Sequence, residues 1–289
     1  MTEQKPTEVL RTSKASRRRT AVTLVASGGL AAALLATTMG TSNATAVPSP
    51  SQHRKPTVVH VHGAFADSTS WNGVVEKLRK DGYPVVAAAN PLRGLSSDAA
   101  YVRNIVASID GPVVLAGHSY GGAVITNAAT GNPQVKGLVY LAAFVPDQGE
   151  SANELAARFE GSTLPQAVRT VPVDNADGTQ GQDVYIQEQK FPQQFAHDVP
   201  RRVAEGMAVT QRPVTLAALD EKSGAPAWKN VPSWVLVADE DRNIPPQAQL
   251  FMAKRAHAHV KKVDASHAVT VSEPKVVADF IEDAARTVR

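Results

Sequence analysis

The feature that most limits what this chain can fold into is a six-residue string, Gly117-His118-Ser119-Tyr120-Gly121-Gly122. It directly follows an unbroken apolar run, Pro112 to Ala116 (PVVLA), and leads into a helical pattern from about Gly121 to Ala129. A continuous apolar run of that length reads as a strand buried on both faces of a parallel sheet. The string must therefore convert strand into helix within a few residues. Glycines on either side of Ser119 let neighbouring backbone approach without a Cβ in the way, and a serine on so sharp a turn is lifted clear of the sheet edge. Gly-x-Ser-x-Gly alone occurs by chance; the strand-turn-helix setting gives it meaning. A serine hydroxyl is a poor nucleophile at neutral pH, so the reading demands a base and an acid to orient that base.

The surrounding chain repeats the same grammar. Strands are expected at 57–62 (TVVHVH), 84–89, 112–116, 137–145 (GLVYLAAFV), 233–238 (SWVLVA) and 260–263. Helices are expected near 71–80, 96–109, 246–256 and 274–287, with Ser96, Ser97 and Asp98 available to cap the second and Ala99, Val102, Ile105, Val106 and Ile109 forming its buried stripe. Alternating strand and helix imply an α/β fold: a mostly parallel sheet with helices on both faces. From about 146 to 232 the alternation fails, and polar, turn-rich stretches separate short apolar runs. So long an insertion is expected to be a lid over the site rather than a structureless loop.

Downstream, Ala238-Asp239-Glu240-Asp241-Arg242-Asn243-Ile244-Pro245 follows one expected strand, and Asp264-Ala265-Ser266-His267 follows the last. Both fall at carboxyl ends of strands, where open α/β sheets place ligands. The order Ser119, Asp241, His267 suits a serine on such a turn. Upstream, His62-Gly63-Ala64-Phe65 supplies a glycine turn at the same edge, so the backbone amides of Ala64 and Tyr120 are candidates to hold a developing oxyanion.

Across 57–289 these segments resemble the α/β-hydrolase superfamily. The spans HGAFADSTSW and FVPDQGES look like its small-lid, esterase-like branch, similar to plant methyl-ester hydrolases and hydroxynitrile lyases. The resemblance implies Ser119 as nucleophile, His267 as base, Asp241 as acid and the Ala64 and Tyr120 amides as oxyanion hole. The acid loop opens with Ala238 where such proteins usually carry glycine, which leaves Asp239, Glu240 and Asp241 to be separated. Spacing to Ile244-Pro245 selects Asp241, and Asp147 is the alternative orienter. Phe65 and Phe144 are candidate pocket residues, and Trp71 is one for pocket or core. The implied activity is cleavage of a small-molecule carboxylic ester through an acyl-enzyme, with no cofactor. Lyase chemistry on the same triad and a non-catalytic ligand receptor are the alternatives. Lyase relatives commonly replace the glycine of the His-Gly turn, and this chain keeps Gly63.

His60 and His62 share a strand face but have no third ligand at a suggestive spacing, so no metal is expected, and His118 reads as a packing residue. The chain has no cysteine, which removes thiol catalysis and Cys-ligated metals. Of 30 basic and 27 acidic residues, 1–46 hold six and two, leaving 24 against 25, so the remainder makes no electrostatic case for nucleic acid. Within that leader, Ser16-Arg17-Arg18-Arg19-Thr20, an uncharged stretch to Met39 and the small-residue pattern Ala44-Thr45-Ala46 read as a bacterial export signal, with a twin-arginine form among the options. Cleavage there would leave an exported protein without a stable membrane anchor. Residues 47–56 read as a flexible lead-in.

Overall fold

The computed structural model describes residues 54–175 and 178–288; the expected export signal and most of the lead-in lie outside them. In chain order the elements begin with β1 (Thr57–Val61), α1 (Asn72–Lys80), β2 (Val85–Ala88), α2 (Leu95–Ala107), β3 (Val113–His118), α3 (Tyr120–Ala128) and β4 (Val135–Leu141). The 146–232 segment adds α4 (Ala152–Ala157), β5 (Val168–Asp174), β6 (Gln180–Ile186), α5 (Phe191–Phe195), α6 (Arg201–Thr210), β7 (Val214–Thr215) and α7 (Leu216–Asp220). Then come β8 (Ser233–Ala238), α8 (Pro246–Arg255), β9 (His259–Val263), α9 (Val269–Ser272) and α10 (Pro274–Thr287). The main sheet runs β2-β1-β3-β4-β8-β9, with every pair parallel. A separate antiparallel sheet, β5-β6-β7, belongs to the 146–232 segment.

Parallel strands need helical crossovers, and alternation along each strand sends side chains to opposite faces. On β1, Val58 joins a core with Trp71, Leu78, Val277, Phe280 and Ile281, under α1 and α10. Val59 and Val61 face the other core, with Val102, Val124, Ile125 and Met252 from α2, α3 and α8. Each such side chain, fully buried, contributes about 1.5–3 kcal/mol of transfer free energy, which is what fixes the register. The exposed edge strand β9 instead carries Lys261 and Lys262, charges that discourage pairing with another chain.

Two expectations need correction. The strand placed at 137–145 runs from Val135 only to Leu141, because Ala142 turns at φ 44° and the chain leaves the sheet beside the serine turn. Helix α2 begins at Leu95 with the extended Gly94 as its cap, and Ser96 and Asp98 make no cap of their own: Asp98 points inward and accepts from the Arg93 amide at 3.2 Å. Among the described residues no helix is long and apolar enough to cross a membrane.

Candidate active site

Four strand ends converge at the carboxyl edge of the main sheet: β1 delivers Gly63, β3 Ser119, β8 Asp241 and β9 His267. Ser119 sits between β3 and α3 at φ 54° and ψ −125°, the strained turn that the string requires. The glycines permit it: a Cβ on Gly121 would stand 2.3 Å from the Val61 carbonyl oxygen. The serine amide donates to the Leu141 carbonyl at 3.3 Å, and its own carbonyl accepts from Gly122 at 2.9 Å and Phe144 at 3.2 Å.

Around that turn the three separated side chains form one hydrogen-bonded file. Ser119 Oγ lies 2.9 Å from His267 Nε2, and His267 Nδ1 lies 2.7 Å from Asp241 Oδ2. A carboxylate only accepts, so Nδ1 carries the hydrogen and Nε2 is left with a lone pair toward the serine. All three side chains are buried. The choice among the acids is resolved by direction. Asp239 pairs with Lys262 at the surface, Glu240 is exposed beside His197, and Asp241 turns in. Asp147, the alternative, is engaged by Lys229 at 2.7 Å and is not joined to the histidine.

The amides of Ala64 and Tyr120 donate to no acceptor among the described residues, as expected for the first position of a helix in the case of Tyr120. The Gly63 turn packs directly on the serine: a Cβ at residue 63 would come within 2.5 Å of Ser119 Cβ and 3.1 Å of Oγ. Phe65 lines two cavities, whereas Phe144 lines neither and instead contributes its backbone to the serine turn. Trp71 is core, tilted against His60 at 4.6 Å between ring centroids. Burial lowers His60 to a pKa of about 3 and His62 to about 4, so both rings are neutral at ordinary pH.

Sequence reasoning missed several supporting residues. His118 does more than pack. Its Nε2–H donates to the His267 carbonyl at 2.8 Å, and burial, with the adjacent His267, holds its pKa well below the usual histidine value. Gln249, wholly buried on α8, donates to Asp241 Oδ2 at 2.9 Å and to the Ile244 carbonyl at 2.8 Å. Asp241 Oδ1 accepts the Asn243 and Ile244 amides at 2.7 and 3.0 Å. Tyr120 donates its hydroxyl to Asp98 at 2.9 Å, anchoring the first residue of α3; burial raises the Asp98 carboxyl above its ordinary value against the bonds it accepts. From the 146–232 segment, Phe195 meets the His267 ring edge-on at 4.9 Å, and its carbonyl accepts the Ala268 amide at 3.0 Å.

A serine, imidazole and carboxylate in this relation, beside two undonated amides, form an arrangement competent for acyl transfer. Comparison with known proteins agrees in class. Residues 58–280 match the Alpha/beta hydrolase family, and the chain belongs to it. A carbendazim hydrolyzing esterase of a Nocardioides species is 30% identical over 190 residues, covering 55% of this chain and 78% of that one. A pyrethroid hydrolase of Sphingobium wenxiniae is 28% identical over 245 residues, covering 78% and 86%. Among solved structures, polyneuridine aldehyde esterase superposes with a TM-score of 0.69 at 20% identity, over 80% of this chain and 99% of that one, which speaks to the fold.

Proposed function

We propose that this protein is an exported serine hydrolase that cleaves a carboxylic ester through an acyl-enzyme. The observation carrying the reading is the continuous file from Ser119 Oγ through His267 to Asp241, at 2.9 and 2.7 Å. In the reaction, Nε2 takes the hydroxyl proton as Oγ attacks the ester carbonyl. The carbonyl oxygen becomes an oxyanion facing the Ala64 and Tyr120 amides, and Asp241 stabilises the imidazolium. Collapse expels the alcohol, which leaves with the proton from His267. Water then attacks the acyl-enzyme by the same route, returning Ser119 and releasing the acid. The names of the Nocardioides and Sphingobium relatives support ester cleavage as the reaction class. Gly63, where Ser119 leaves no room for a Cβ, favours hydrolysis over the lyase alternative, whose bearers commonly replace that glycine.

Ser119→Ala, assayed on a p-nitrophenyl ester panel, is expected to lose on the order of 10⁴-fold or more in kcat. Unchanged turnover would reject the nucleophile. Fluorophosphonate labelling of Ser119 would separate an active site from a ligand receptor. The 146–232 segment serves as the lid of this site. Export rests on the leader pattern of 1–46, and N-terminal sequencing of secreted protein should begin near Val47. A start near Met1 would overturn cleavage.

A further inference from the structure

Two cavities meet at one side chain. The larger, about 440 Å³, is lined almost wholly by the 146–232 segment: Ala156 of α4, Val168 and Val184 of the β5-β6 sheet, Leu164, and Leu219 of α7. Its rim is exposed at Gly161 and Pro165, and its one lining residue outside that segment is Phe65, which is 4% exposed. The smaller cavity, about 170 Å³, lies between Met207 of α6, the polar turn at Asp67, Thr69 and Ser70, and Val271 of α9. Phe65 alone lines both.

That side chain is held beside the chemistry. Phe65 follows the Gly63 turn that packs on Ser119, and its amide donates to the Arg212 carbonyl at 2.9 Å, fixing a backbone at φ 62° that an aromatic residue rarely adopts. The larger cavity is tied to the acid loop as well: Ser162 Oγ donates to the Asn243 carbonyl at 2.9 Å and the Thr163 amide to the Arg242 carbonyl at 3.0 Å. Val271 of the smaller cavity follows His267 on the next turn of chain. Neither lining contains Ser119, Asp241 or His267 themselves; both spaces adjoin the triad's loops through Phe65, the acid loop and the chain after His267. They differ in chemistry: the larger is strongly apolar, offers no cation, and has Glu160 as its one ionisable lining side chain, whereas the smaller, though mostly apolar, has Asp67, Thr69, Ser70, Asn72, Thr210 and Gln211 on its wall.

We propose that Phe65 is a specificity-determining partition: the larger cavity receives a neutral, apolar substituent of the ester and the smaller one its short, polar-tolerant partner. The inference rests on the ester-hydrolase reading and names its substrate class. A space of this size falls within the range of pockets for drug-sized ligands, about 300–1,000 Å³, and suits an alkyl group of roughly eight carbons or an aromatic group of like bulk. Without a cation and with Glu160 on the wall, it discriminates against a free carboxylate.

The experiment uses the full chain and two variants that move selectivity in different ways. Thr170→Trp plugs the larger cavity from an exposed strand position that tolerates an aromatic residue. It is expected to lower the p-nitrophenyl octanoate to acetate ratio of kcat/KM at least tenfold. Phe65→Ala joins the cavities and is expected to raise the dodecanoate to octanoate ratio severalfold. In Ser119→Ala protein, calorimetry should find methyl octanoate bound at least tenfold more tightly than octanoate, with Thr170→Trp abolishing the difference. Ratios within twofold of wild type in both variants, or equal binding of ester and acid, would overturn the partition. Methyl octanoate binding that depends on Thr170 in a protein without ester turnover would retain the cavity assignment and overturn the hydrolase reading alone.

Discussion

Replacing Gln249 with leucine tests how the acid is held. The side chain is wholly buried, and its amide makes three bonds: Nε2 to Asp241 Oδ2 at 2.9 Å and to the Ile244 carbonyl at 2.8 Å, and Oε1 from the Ala238 amide at 3.2 Å. Leucine keeps the bulk but strands the Ala238 amide and the Ile244 carbonyl, and removes one donor from the carboxylate. Buried groups left unpaired cost about 1–3 kcal/mol each, so roughly 3–5 kcal/mol of stability should be lost. At about 2–4 °C per kcal/mol for a domain of this size, that lowers Tm by roughly 6–20 °C. Catalysis should suffer far less. Asp241 Oδ1 keeps the Asn243 and Ile244 amides, and Oδ2 keeps His267. A fall in kcat of about tenfold, near 1.4 kcal/mol, is expected, against about 10⁴-fold for Asp241→Asn, which upsets the histidine tautomer. Thermal unfolding and p-nitrophenyl acetate kinetics on the same preparation decide it. An unchanged Tm would refute the stability argument, and a kcat as low as that of Asp241→Asn would show that the carboxylate depends on Gln249 alone.

Two further outcomes follow from buried groups near the site. His60 has a folded pKa of about 3 against 6.5 when unfolded, so below pH 6.5 only the unfolded chain takes the proton; stability is complete above that pH and falls by about 1.4 kcal/mol per pH unit as acid is added. His60→Phe, which keeps a ring against Trp71, should flatten the slope of unfolding free energy against pH between 6.5 and 5 by that amount, and an unaltered slope in urea titrations would contradict it. Gly63→Ala places a Cβ within 2.5 Å of Ser119 Cβ and 2.8 Å of the His118 carbonyl oxygen, and kcat should fall by about 10²-fold or more as the serine is displaced. A fully active alanine variant would mean that the turn yields more readily than its contacts allow.

The sheet and the three side chains that the hydrogen bonds join were legible because each follows a strand with a strong local pattern. PVVLA could hardly be anything but a buried strand, and the acids and histidine lay within a few residues of the last two strands. Spacing to Ile244-Pro245 also separated Asp241 from Asp239 and Glu240, although only the structure shows why: the other two face Lys262 and His197. The supporting contacts were illegible for a physical reason. A glutamine one turn into α8 reads as a solvated residue, and nothing local says that it reaches back eight residues to a carboxylate. Asp98 looked like a cap because helix starts favour aspartate; its inward turn is dictated by Tyr120, 22 residues on. The end of β4 was misplaced because apolar Ala142 to Val145 are buried by the serine turn rather than by strand pairing.

The hydrogen bonds also limit how the 146–232 segment can move. The end of α5 and the residues after it are bound to the histidine loop: the Phe195 carbonyl accepts the Ala268 amide at 3.0 Å and Ser266 Oγ at 3.2 Å, and Asp198 accepts the Ser266 amide at 2.8 Å. Lifting this part would break three bonds and strip Phe195 from the imidazole face, disordering the base at the moment the site opened. The portion around α4 and β5 is held by other means, through Ser162 and Thr163 to carbonyls of the acid loop, and it carries the exposed rim of the larger cavity. On that wall Leu164 and Leu219 keep partial exposure, and neither takes part in the bonds that clamp the histidine loop. One half of the segment is therefore tied to His267 and the other to the wall of the larger cavity, so substitutions at 191–198 should alter turnover while those at 156–170 should alter selectivity.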